Sequence, residues 1–171
     1  FNLSGKSFNN AVIQCAQPGA CRFGNSKLSN VSGLTIDGIL VQGGGLGLDI
    51  SGSRNVTVRC STFKEQTGSG ILLTGSSSNQ VRLQNNTFYN GATGCQYGNN
   101  NCSGQLSNGS PVASMDYGIR IHQADNVEMV GNRFTGPGGK GLFNHSISLK
   151  ESVSSAVIRG NIFDACGRNC I

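Results

Sequence analysis

The chain is predicted to be all-β, a single-stranded parallel β-helix solenoid of about five to six coils. Three observations carry that expectation. An eight-position phrase recurs along the 171 residues: Leu34–Val41, Val56–Phe63, Val81–Phe88, Val127–Phe134 and Ala156–Phe163. Within each phrase the first, third and eighth positions are apolar, and the eighth is Val41, Phe63, Phe88, Phe134 or Phe163. The chain is also rich in Gly, with 26, yet only 12% charged, a composition suited to tight turns that need left-handed backbone.

The elements follow in order. Val56 and Val58 alternate with Thr57 and Arg59, so each phrase reads as a strand with one buried face rather than a helix. Cys60 is expected at an inward position, as a small buried hydrophobe, and Asn85 likewise inward with its amide paired. Asn86, Asn132 and Asn161 share the sixth position, and one per coil they form a hydrogen-bonded structural ladder. Asp37 stacks on Arg59 and Arg82 on Glu128 as outward pairs. A second short strand follows each phrase: Leu46–Ile50, Ile71–Thr74, Ile119–His122 and Ile147–Lys150, with Ile171 starting a fifth. Residues 1–27 fit the repeat less well, although Ala11-Val12-Ile13 and Arg22-Phe23 can supply a partial first coil.

The whole of 1–171 is expected to be one domain with a loop insertion over 89–117 and a smaller one over 136–144. Phe1 is not an initiator, and the chain stops at Ile171 where another strand should continue. Both features fit a portion of a longer chain, or a body whose ends are capped by partner subunits or by end-to-end self-association.

Six of the seven cysteines fall into close pairs, Cys15 with Cys21, Cys95 with Cys102, and Cys166 with Cys170. They read as three local disulfides and place the protein in a secreted, extracellular or periplasmic setting; reduced thiols are the competing reading. No metal site is assigned, because the spacing lacks the paired CxxC and His partners of zinc. No apolar run is long enough for a membrane span. The net charge of +5 favours acidic partners. Scattered basic residues and few aromatics argue against nucleic acid and for an acidic polysaccharide. Seven Asn-X-Ser/Thr sequons occur, at Asn2, Asn30, Asn55, Asn85, Asn101, Asn108 and Asn144; Asn101 and Asn108 would be the best acceptors in a eukaryote.

Aligning the second strands suggests two outward columns: Asp49, Thr74, His122, Lys150 and Gly47, Leu72, Arg120, Ser148. Arg120, His122 and Lys150 then form a cationic patch, with Tyr117 at its edge and Asn144 and His145 just before the Lys150 strand. Such a patch can neutralise a uronate carboxylate while a base removes the neighbouring proton. The alternative is an ordinary solvated basic face. Paired carboxylates at a glycosidase spacing are absent, which disfavours hydrolysis.

The stretches Asn55–Phe63, Asn126–Phe134 and Ala156–Phe163 resemble the right-handed β-helix proteins of the pectate-lyase-like class, over roughly residues 28–171. The resemblance implies the right hand, which is also the usual crossover hand. Ser146–Ser152 resembles, over this short stretch, the catalytic-lysine strand of the alginate lyase and chondroitinase B family. That likeness implies a β-eliminating lyase with Lys150 as base, an Arg from a following coil, and often calcium. Arg120 is the residue to neutralise the carboxylate, and His122 or Tyr117 the one to serve the leaving group. Arg168 departs from the pattern, since it is expected inside the Cys166–Cys170 loop before its strand. Substrate contacts are expected from Tyr117, His145 and Arg168. Calcium could draw on Asp116, Asp125 or Glu151, although no loop motif supports it. The other class of function to weigh is a structural or adhesive β-helix that assembles into a filament or surface spike.

Overall fold

The computed structural model describes residues 1–17, 19–90, 115–136, 143–164 and 166–171. The chain winds as successive coils with three strand-bearing faces. The first face stacks β1 (Asn2–Ser4), β4 (Ser26–Ser29), β7 (Leu46–Ser51), the first halves of β10 (Ser69–Gln84) and β12 (Tyr117–Val130), β14 (Phe143–Lys150) and β17 (Cys166–Asn169). The second stacks β2 (Ser7–Gln14), β5 (Ser32–Asp37), β8 (Arg54–Arg59), the second halves of β10 and β12, and β15 (Ala156–Arg159). The third stacks β3 (Arg22–Phe23), β6 (Leu40–Gln42), β9 (Thr62–Lys64), β11 (Thr87–Tyr89), β13 (Arg133–Thr135) and β16 (Ile162–Phe163). Every pairing is parallel, for example Val58 against Leu83 and Leu83 against Met129. β1, β2 and β3 make the first coil, with Ala11 and Ile13 in register with Leu34 and Ile36.

The repeat phrase is the second face, its bend and the third face. Its first and third positions are buried in the first four phrases, as at Val56 and Val58, and partly buried in the last, at Ala156 and Ile158. Its eighth position is a column of rings: Phe63, Phe88, Phe134 and Phe163 stack with centroids 5.2, 4.9 and 5.0 Å apart. Each such pair adds about 0.5–1.5 kcal/mol beyond its buried area. At the bend between these faces, Asn132 accepts from the Asn86 backbone and side-chain amides, each at 3.1 Å. It donates to the Leu83 carbonyl and to Asn161 Oδ1 at 2.8 and 2.9 Å. Ser61 heads this ladder, since Asn86 Oδ1 accepts its N–H at 3.1 Å. A shorter hydroxyl ladder holds the bend between first and second faces: Val31 N–H donates to Ser53 Oγ, and Ser53 N–H to Ser78 Oγ.

Cys60 and Asn85 correct the expectation of inward side chains. Both are exposed and carry φ of 51° and 53°. They share the fifth phrase position with Gly38, Gly131 and Gly160, where each of the five phrases turns through the left-handed region. A left-handed residue rotates its side chain off the strand's inward direction. Asn30, Asn55 and Asn85 all occupy such positions. Asn tolerates that backbone better than other non-Gly residues, so the turn geometry accounts for the Asn of these three sequons.

Cys15–Cys21 and Cys166–Cys170 form disulfides, with Cα atoms 5.6 and 5.3 Å apart. Cys95–Cys102 lies outside the described residues, as do Asn101 and Asn108. The long insertion leaves and returns at one clasp: Asn90 Nδ2 donates to the Met115 carbonyl and Met115 N–H to Asn90 Oδ1. The two disulfides point to a compartment outside the reducing cytoplasm. Among the described residues no helix is long and apolar enough to cross a membrane.

On the third face a hydrogen bond from Thr135, and then one from Arg133, hold the Asp164 carboxyl below its ordinary value of 3.8. A depressed folded-state pKa contributes stability above the unfolded value and loses it as pH falls through the folded one. Asp164→Asn is therefore expected to flatten the acid limb of stability below about pH 4, measured as denaturation midpoints down to about pH 2.

Candidate functional site

The outer side of the first face gathers the polar residues singled out above. Its register differs from the sequence alignment by two residues in the third coil. Asp49 aligns with Leu72, Arg120 and Ser148, while Ser51 aligns with Thr74, His122 and Lys150. Asp49 is therefore not in the Lys150 column; it forms an ion pair with Lys27 at 3.0 Å. Gly47 is not outward either. A Cβ there would lie 3.0 Å from the Phe63 ring, and Gly70 and Gly118 stand likewise under Phe88 and Phe134. Two consecutive residues, Gly47 and Leu48, face the core at this bulge, so Leu46 is the equivalent of Ser69 and not of Ile71.

The bulge fixes where the site residues point. Tyr117, before it, and Arg120 and His122, after it, are half-buried on the outer side of β12. Tyr117 is in register with His145 of the next coil, and their rings stack 5.4 Å apart at 7°. Arg120 Cζ lies 4.8 Å from the centre of the Tyr117 ring, a cation–π contact. His122 is in register with exposed Lys150, which places their strands about 4.8 Å apart. Arg120 Nε and His122 Nε2 are buried and have no hydrogen-bond partner among the described residues. Asn144 and His145 belong to β14 itself rather than preceding the strand. Arg168 belongs to β17, which pairs with β14, and so is in the fifth second strand rather than in a loop before it; Ile171 lies beyond that strand. The side chains of Asn144 and Arg168 lie outside the described residues.

Two groups result. Tyr117, His145 and Arg120 form a stacked aromatic–guanidinium cluster. His122 and Lys150 are register partners at the other end of the same strands. Charge elsewhere is mostly neutralised locally: Asp37 pairs with Arg59, Glu128 with Arg82 and Arg159, Asp164 with Arg133, and Glu65 with Lys64. Among the described residues Arg120 and Lys150 have no ion pair. Sequence reading placed Thr74 in the His122–Lys150 column but missed Ser51 and Ser29, which extend it as a row of hydroxyls across the first face. Only the coil-to-coil register reveals that row.

The calcium expectation finds no ligand set. Asp125 Oδ1 is engaged by Ser154 Oγ at 2.6 Å, and Glu151 sits in a left-handed turn with φ 42°. Among the described residues no three His, Cys, Asp or Glu side chains converge on a cation position.

Stacked parallel faces, an internal Asn ladder and a polar outer sheet beside a clasped insertion define a parallel β-helix with its decorated face outward. The chain belongs to the right-handed β-helix family, whose model, described as a right handed beta helix region, matches residues 13–171. No curated protein and no solved structure matches the chain.

Proposed function

We propose that the protein is exported and binds an acidic polysaccharide along the outer side of its first face. One observation carries the reading. Arg120 has no ion pair among the described residues, is braced on Tyr117, and stands beside two histidines and Lys150. A carboxylated sugar supplies an anion for the Arg120 guanidinium. The row Ser51, Thr74 continues it with hydroxyls that can bond the sugar oxygens.

The same groups carry the chemistry of β-elimination. Arg120 neutralises the uronate carboxylate, and the Lys150 amine takes the proton from the adjacent C5. The C4–O4 bond breaks as the C4=C5 double bond forms, and His122 gives a proton to the departing O4. His122 suits this step better than Tyr117, because it is the register partner of Lys150 whereas Tyr117 pairs with His145 at the other end. Arg168 and His145 then bind the neighbouring sugars. This reading agrees with the likeness of Ser146–Ser152 to the lysine strand of alginate lyase and chondroitinase B enzymes.

Titration with polygalacturonate, alginate, chondroitin and hyaluronan tests binding, and ultraviolet absorbance of unsaturated ends tests elimination, each with calcium and with chelator. Saturable binding that weakens with salt is expected. Arg120→Gln should weaken it about tenfold or more, the worth of one charge-assisted hydrogen bond. Lys150→Ala should abolish any absorbance rise while leaving the melting temperature unchanged. Binding without a rise overturns the elimination step alone. Absence of binding to every polymer overturns the whole reading, and imaging for filaments then tests the structural role.

A further inference from the structure

The second face bears a separate groove on its outer side, lined by none of Tyr117, Arg120, His122, His145 and Lys150. It has a volume of 1080 Å³ and runs over the first four coils. A smaller depression of 360 Å³ adjoins it, sharing Gln80 and Arg82 and reaching the sixth coil. Together they span five coil steps, about 24 Å along the solenoid.

The groove follows a bend repeated in five strands of this face. Asn10, Gly33, Asn55, Gln80 and Asn126 stand one per coil in left-handed backbone, with φ of 56°, 68°, 52°, 55° and 50°. Each bend interrupts the pleat just before the buried Val56-type residue and re-aims the flanking side chains. The result is a concave strip with Asn55 and Gln80 amides along one side and the outward column Thr35, Thr57, Arg82 along the other.

The lining of the larger groove includes Arg54, Arg59 and Arg82 and no carboxylate. Arg59 is held by Asp37 at 2.9 Å and Arg82 by Glu128 at 3.4 Å; both acids lie outside that lining, and Glu128 lines the smaller depression, where it also holds Arg159. These contacts brace two guanidinium groups and leave other N–H groups free. Arg54 is exposed and has no ion pair among the described residues. Phe8 and Val12 give one end of the groove an apolar wall.

We infer that this groove is a second binding site, for an anionic glycan chain lying along the solenoid axis. Arginine forks suit sulfate or carboxylate groups, amides and threonine hydroxyls suit sugar hydroxyls, and the Phe8 end suits a sugar's C–H face. Single-stranded nucleic acid fits worse, because it needs a series of aromatic platforms and this groove has one ring. An added peptide strand fits worse still: β5 is paired on both sides by β2 and β8, so the face offers no free edge. The inference does not rest on the function proposed for the first face. If both sites bind, one molecule bridges two glycan chains or grips one chain twice.

Calorimetric titration of the full chain with oligogalacturonate and with a dextran sulfate oligomer tests this and separates carboxylate from sulfate recognition. The Arg120→Gln/Lys150→Ala double variant serves as background, so that failure of the first-face site and failure of this one read out separately. Binding of at least one oligomer should persist in that background. Arg54→Glu should weaken it about tenfold or more, Arg54→Lys much less, and Thr35→Glu should repeat the loss from a non-arginine position. Unchanged binding in both Arg54→Glu and Thr35→Glu overturns the site, as does loss of all binding in the background variant. Arg54-dependent binding of an oligonucleotide tighter than that of either glycan overturns the assignment of the ligand.

Discussion

Asn132→Ala is expected to destabilise the protein by roughly 3–5 kcal/mol, read as a lower denaturation midpoint. Asn132 has no solvent-exposed surface. Its amide makes four of the ladder's bonds, with the Asn86 main-chain and side-chain amides, the Leu83 carbonyl and Asn161. Truncation leaves buried donors on Asn86 and a buried carbonyl on Leu83 unpartnered. Each orphan costs about 1–3 kcal/mol, more than the net worth of the bond itself. The damage spreads along the solenoid axis, because Asn86 in turn fixes Ser61 at 3.1 Å and the Val58 carbonyl at 2.9 Å. Asn161→Ala should cost less. Asn161 is only partly buried, and it stands at the end of the described ladder, with Met129 as its carbonyl partner. A loss at Asn132 no greater than at Asn161 would mean that the ladder is not cooperative.

The sixth-position Asn column was legible because a buried turn amide needs a partner and the repeat supplies one in every coil. The buried alternation was legible for the same reason: Val56, Val58 and Phe63 recur in phase. The fifth position was not. Apolar alternation extended by two residues puts Cys60 inside, but alternation holds only while φ stays negative, and there it is 51°. Nothing in the side chain of Cys60 announces that. Its column-mates Gly38, Gly131 and Gly160 do, and reading the column rather than the residue would have placed it on the turn. The first-face register failed through a different absence. Gly47, Gly70 and Gly118 face the core with no side chain to show in a hydropathy pattern, so Leu46 was aligned with Ile71. The local cluster around Arg120 survived that error because Tyr117, Arg120, His122, His145 and Lys150 lie on adjacent coils beyond it. The groove on the second face was invisible for want of any motif: it comes from a bend repeated at Asn10, Asn55 and Gln80.

Gly118→Ala is expected to damage stability and binding together. A Cβ on Gly118 would overlap the Phe134 ring, lying 2.6 Å from Cδ1, and would lie 2.7 Å from the Ser146 carbonyl. Neither neighbour can yield freely. The Phe134 ring is confined between Phe88 at 4.9 Å and Phe163 at 5.0 Å, with Phe143 edge-on at 5.8 Å. The Ser146 carbonyl is main chain of β14, the strand paired with β12. Overpacking of this kind costs about 1–3 kcal/mol and can cost more where main chain obstructs. Gly24→Ala is the matching control: its Cβ would meet nothing within 4 Å, so a change within about 0.5 kcal/mol is expected. Relief of the clash by Phe134→Leu in the double variant would identify the ring as the obstacle, as a coupling energy in a double-mutant cycle. The functional consequence follows from position. Gly118 lies between Tyr117 and Arg120, so the bulge that needs a missing side chain also aims the aromatic ring and the guanidinium at one another. Backbone displacement at 118 should weaken polyuronate binding even under conditions where the protein remains folded. Affinity unchanged in folded Gly118→Ala would show that the Tyr117–Arg120 stack takes no part in binding, and would leave His122 and Lys150 to carry the site alone.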